Sequence, residues 1–110
     1  MLVHVVDSRI IYVGRKPVHA YIAAVLNVMQ GGERDIQLVA RGNAIRTAVD
    51  TAEICKRRNG HLASMLPEKV TIKSVETETE EIPREDGRMG SVSVIKINIL
   101  GEGEMIKSDE

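Results

Sequence analysis

A chain of 110 residues, 43% of them hydrophobic, is the size of one domain, and no run approaches the roughly 20 apolar residues that span a bilayer. Aromatic residues make up only 2%, Tyr12 and Tyr21 with no Phe or Trp, so the core has to be aliphatic. The formal net charge of −1 excludes a uniformly basic protein, and the single cysteine, Cys55, excludes an internal disulfide.

Residues 1–6 are too short and lack the basic front of a secretory signal, so an intracellular, cytoplasmic protein is expected; the segment extends the sheet or frays. Residues 9–13 form a β-branched run ended by Gly14, which predicts a buried strand entering a turn. Pro17 suits the first position of a helix, where its missing N–H costs nothing. Val18, Tyr21, Ile22, Val25, Leu26 and Met29 follow at helical spacing until Gly31 and Gly32. Residues 35–40 predict a central strand. A second helix carries Ile45, Ala48, Val49, Ala52 and Cys55 on one apolar stripe and stops at Asn59 and Gly60. On that stripe Cys55 is read as core packing, with a reactive thiol as the alternative.

After Pro67, residues 69–77 predict a third strand whose pattern shifts phase near Val75, as a bulge would make it. Residues 91–100 predict a fourth, with Ile95, Ile97 and Ile99 on one face and Lys96 and Asn98 on the other. The polar, charged segment 78–90 between them is expected to be a long mobile hairpin tip, and residues 101–110 a disordered acidic tail. The order is βαβαββ, an α/β two-layer sandwich with both helices on one face of a four-stranded sheet and one domain over residues 1–100.

Charge is unevenly placed. Residues 1–60 hold nine basic against five acidic residues, and residues 61–110 hold six against eleven, so a polyanion would dock on the first half. Gly14-Arg15-Lys16-Pro17 joins a strand to a helix N-terminus, where backbone N–H groups, the helix dipole and two cations could meet one phosphate. The bland alternative is a solvated basic turn. Arg41-Gly42-Asn43 repeats the arrangement at the second junction, Asn43 being either a helix cap or a contact to sugar or base. Arg46, one turn into the second helix, reads equally as a phosphate contact or a solvated charge. His19 reads as a surface histidine or a phosphate contact.

His4, His19 and His61 share no ligand spacing and no nucleophilic arrangement suggests itself, so no enzyme activity, metal or cofactor is expected. The lack of surface aromatics argues against base stacking on the sheet.

Three segments, Val13-Gly14-Arg15-Lys16-Pro17-Val18, Ala40-Arg41-Gly42-Asn43-Ala44-Ile45 and Ala48-Val49-Asp50, resemble the signature of the Alba proteins, archaeal chromatin and RNA-binding proteins. The resemblance runs from about Arg9 to Leu100 in unbroken order. It implies an Alba-like fold, similar to the C-terminal domain of translation initiation factor three. It also implies a chromosome-associated homodimer whose paired helix junctions lie over the minor groove or backbone, with two hairpin arms reaching along the duplex. By position, Arg15 and Lys16 match the basic pair of the first loop and Arg41 the arginine before the glycine; Arg84 and Arg88 are the basic residues of the arm.

The chain also departs from the pattern. Asn43 stands where many members have a second arginine, Val39 where several have lysine, and Arg15 where a lysine can be acetylated. The arm carries Glu76, Glu78, Glu80, Glu81, Glu85 and Asp86, which should repel phosphates. The segment before Pro67 holds no phenylalanine, the residue that packs dimer on dimer in some relatives; Leu62, Met65 or Leu66 would have to substitute. The expected partners are DNA and RNA, a second copy of the chain and other Alba-like subunits, with no membrane and no small-molecule substrate. The alternatives are an RNA-specialised ribonucleoprotein subunit and a protein–protein interaction module.

Overall fold

The computed structural model describes residues 9–105. Along them run β1 (Ile10–Val13), α1 (Val18–Gln30), β2 (Asp35–Arg41), α2 (Ala44–Arg57), a 3-10 turn at Ala63–Met65, β3 (Lys69–Pro83) and β4 (Met89–Glu102). The sheet order is β1-β2-β4-β3, with β1 parallel to β2 and the other pairs antiparallel. A parallel pair needs a crossover, and α1 supplies it.

Alternation decides which side of the sheet is covered. Ile36, Leu38 and Ala40 on β2 lie opposite Ile99, Ile97 and Ile95 on β4, and all six are buried. They share one core with Tyr21, Ile22, Val25, Leu26 and Met29 of α1 and with Ala48, Ala52 and Cys55 of α2, so both helices cover the same face. Each Ile or Leu taken fully out of water there contributes roughly 1.5–3 kcal/mol. Burial pushes the Cys55 thiol up to about 12, which makes it a packing residue rather than a nucleophile.

Several local expectations shift. Pro17 sits one position earlier than expected, as the residue before α1, and the left-handed residue after that helix is Gly32, at φ 111°. Helix α2 ends at Arg57 and is capped by Arg58, at φ 52°, before the Asn-Gly pair is reached. The Arg58 guanidinium donates to the carbonyls of Ser64 and Leu66, and these bonds tie down the loop that a left-handed arginine would otherwise strain. Val49, placed on the α2 stripe by its spacing, is 39% exposed, while Thr51 is buried and satisfies its hydroxyl on the Thr47 carbonyl.

The hairpin differs most. The segment expected to be a tip at 78–90 is paired strand as far as Pro83 opposite Met89, and only residues 84–88 turn. Gly87, at φ 84°, donates to the Arg84 carbonyl and Arg84 donates to that of Arg88, a three-residue hairpin closed by a left-handed glycine. The register shift lies between Ile72 and Ser74, two or three residues before the expected bulge. The acidic tail also begins later than residue 101. Gly101 and Glu102 belong to β4, and Met105 packs against the core. Residues 1–6 and 106–110 fall outside the described residues, and His4 with them.

Candidate nucleic-acid interface

Because β1 and β2 are parallel and in register at Val13 and Ala40, both chains leave the sheet at the same end. The two strand-to-helix junctions are therefore neighbours. Between them lies a cleft of about 610 Å³, lined by Gly14 and Arg15 from the first junction and Arg41 and Asn43 from the second, with Tyr12 and Val39 as its sheet side. Lys16 is exposed in the same turn as Arg15. This brings together four of the residues that the sequence marks out: Arg15 and Lys16 on one loop, Arg41 and Asn43 on the other.

The first loop is held from below. The Tyr21 hydroxyl, on a ring only 6% exposed, accepts from the backbone N–H of Gly14 at 2.7 Å and of Lys16 at 3.0 Å. Those two N–H groups are thus engaged, which corrects the expectation that they would cradle a phosphate; what the loop presents is the side chains of Arg15 and Lys16. In the second loop Gly42 takes the left-handed conformation, φ 56°, and donates to the Ser93 carbonyl at 2.9 Å. Asn43 occupies the N-cap position of α2 without a side-chain capping bond. Its exposed amide lines the cleft instead.

Arg41 is not a bare cation. Its guanidinium makes a two-pronged contact to Glu80 of β3, Nε to Oε1 at 2.7 Å and Nη2 to Oε2 at 3.0 Å. This is the geometry in which arginine also grips a phosphate. The hydrogen bonds from Arg41 hold the Glu80 carboxyl below the usual carboxylate range and raise the guanidinium further. Next to them on the open face of the sheet, Lys96 pairs with Glu78 at 2.8 Å, which raises the lysine. Two of the arm's glutamates thus neutralise cations of their own chain.

The remaining candidates are dispersed. Arg46 is highly exposed and sits 3.8 Å from Asp50 one turn on, the position of a solvated helix charge. Arg84 and Arg88 are exposed at the hairpin turn, away from the cleft, and Arg84 folds back over Gly90. His19 is exposed on the first turn of α1. Leu66 is 1% exposed and so unavailable for packing against another molecule, while Leu62 and Met65 are half-buried against the core. One expectation is overturned outright: Tyr12 is 66% exposed, so the sheet does present an aromatic to solvent.

The roles of three residues in this site escaped the sequence. Tyr21 sits at a core position of α1 and nothing in its spacing announces what its hydroxyl holds. Glu80 and Lys96 become visible only when the strands are placed in register, since the alternation of glutamate and threonine from Glu76 to Glu80 puts the acids on one face.

The Alba family model matches residues 9–79, from the first described strand into the hairpin arm and across both junctions. The chain belongs to the Alba family. It is 40% identical over 87 residues to the DNA/RNA-binding protein Alba 1 of Archaeoglobus fulgidus, covering 79% of this chain and 89% of that protein. Among solved structures, Alba from Thermoplasma volcanium superposes with a TM-score of 0.68 at 32% identity, over 83% of this chain and 98% of the other. ALBA1 from Trypanosoma brucei superposes at 0.64 and 21% identity, covering 86% and 70% respectively, a likeness of fold alone. Among the described residues of this Alba protein, no helix is long and apolar enough to cross a membrane, and no three His, Cys, Asp or Glu side chains gather as metal ligands.

Proposed function

We propose that this Alba protein is a non-enzymatic, chromatin-type nucleic-acid-binding protein that associates with the chromosome, holding duplex DNA and structured RNA by their phosphate backbones as a homodimer. The observation that carries the reading is the cleft in which two parallel strands deliver Arg15, Arg41 and Asn43 to one place, with Lys16 beside them. Its support from relatives is the name of the Archaeoglobus protein, which describes binding of DNA and RNA. Cations on a rigid turn suit backbone contacts, which fix position on a duplex without reading sequence.

The dimer is supported by apolar surface left uncovered where α2 packs against β3. Val49 on the helix and Val75 on the strand are 39% and 54% exposed, large hydrophobics that a second copy would cover. The test of function is Arg15→Ala combined with Lys16→Ala. Both side chains are exposed, so the fold should persist while affinity for a random duplex falls at least tenfold, measured by fluorescence anisotropy near 0.1 M salt. A double variant that binds as the parent does would remove this loop from the site.

A further inference from the structure

Only two aromatic side chains are present in the whole chain, and the fold uses them in opposite ways. Tyr21 is buried under the first loop, whereas Tyr12, on β1, stands on the sheet face that the helices leave uncovered and is 66% exposed. Its register partner is Val39, which is 5% exposed and lines the same cleft, so the ring has an apolar neighbour on one side. Arg41, two residues along β2 from Val39 and therefore on the same face, reaches the cleft as well, and Arg15 and Asn43 line its far side.

A large exposed aromatic on a sheet costs solubility and gains nothing from the core. Placed within a cleft whose other walls carry two arginines and an amide, it matches what an unpaired nucleotide requires. The base needs a π-face to stack on, the phosphate needs a cation, and the base edge or sugar hydroxyl needs a hydrogen-bonding amide. A base inside a continuous duplex cannot use such a face, because both of its own faces are already stacked.

We propose that Tyr12 is a stacking platform for an unpaired base, and that the cleft between Tyr12, Arg15, Arg41 and Asn43 holds one extruded nucleotide of a bulge, loop or single strand. The proposal rests on the nucleic-acid reading above and deepens it. It assigns the cleft a preference that the backbone contacts lack. A folded RNA or DNA carrying an unpaired residue is bound through Arg15, Lys16 and Tyr12 together, a perfect duplex through the cations alone. Arg41 serves the nucleotide's phosphate by exchanging its Glu80 partner for it.

Three probes of equal length test this: an RNA hairpin with a single bulged 2-aminopurine, the DNA hairpin of the same sequence, and a fully paired duplex. Each is titrated with the parent, Tyr12→Phe and Tyr12→Ala proteins, with thermal unfolding confirming that all three fold. The parent and Tyr12→Phe should bind the bulged probes about tenfold more tightly than Tyr12→Ala does, the order of one base–aromatic stack. All three proteins should bind the duplex within about twofold of one another, because its contacts are ionic. Fluorescence of the 2-aminopurine should fall in the parent complex and not in the Tyr12→Ala complex. Equal effects on the RNA and DNA bulges assign the site to an unpaired base of either acid, and an effect confined to one assigns it to that acid. Duplex and bulged probes losing affinity alike in Tyr12→Ala, or no loss at all with unchanged fluorescence, would overturn the stacking proposal while leaving the backbone reading intact. Failure of the parent to bind any probe would overturn both.

Discussion

Tyr21 joins core and surface in one side chain. Its ring is packed in the aliphatic core, and its hydroxyl accepts from the N–H groups of Gly14 and Lys16, so the shape of the loop that presents Arg15 and Lys16 is set from the interior. The ring was legible in the sequence, because Tyr21 falls on the apolar positions of α1. The hydroxyl was not, since a bond across a turn leaves no periodic trace. Tyr21→Phe keeps the ring and deletes the acceptor, leaving two partly buried N–H groups unsatisfied. It should cost about 1–3 kcal/mol of stability in a denaturant titration and also weaken nucleic-acid binding. Stability and affinity equal to the parent's would show that the loop holds its shape without that hydroxyl.

At the level of elements, strands and helices that bury one face announced themselves, and the arm that buries neither did not. From Val75 to Thr79 every residue of β3 is exposed, whichever face of the strand it lies on. Its alternation is therefore of glutamate against threonine rather than of apolar against polar, and a polar run reads as loop. Once paired, that alternation aligns Glu78 and Glu80 with Lys96 and Arg41. The acidic arm accordingly does more than repel a polyanion at a distance: Glu80 occupies the very prongs of Arg41 that a phosphate would take. Glu80→Gln should strengthen binding of duplex DNA several-fold at low salt, with the gain shrinking once the Debye length falls below about 10 Å near 0.1 M. A pH titration gives an independent check. The Glu80 carboxyl is held low by Arg41, so the pair is intact at neutral pH and is lost only as pH falls through that lowered value, below the ordinary carboxylate range. Binding by the parent should rise there as Arg41 is released, and the rise should be smaller in Glu80→Gln. Equal rises in both proteins would mean that Glu80 does not restrain Arg41.

For the molecule as a whole, periodicity and turn residues were enough to give the order βαβαββ, and the spacing of Arg15, Lys16 and Arg41 was enough to mark two junctions. What no spacing could supply was the exposure of Tyr12 and Val49. The dimer belongs to this scale too. Sedimentation at micromolar concentration should give twice the monomer mass, and Val49→Glu with Val75→Glu should reduce it to one; a monomeric parent would refute the pairing.

The most direct test of the account is the salt dependence of duplex binding. With Arg41 held by Glu80, the proposed dimer would engage DNA through Arg15 and Lys16 of each subunit, about four phosphates, for a log–log slope of roughly −3.6, which Glu80→Gln should steepen toward about −5 by releasing Arg41. Arg15→Ala with Lys16→Ala should flatten the slope toward zero. A parent slope near zero, or a double variant that keeps the parent's slope, would contradict the claim that phosphates are bound at these paired junctions.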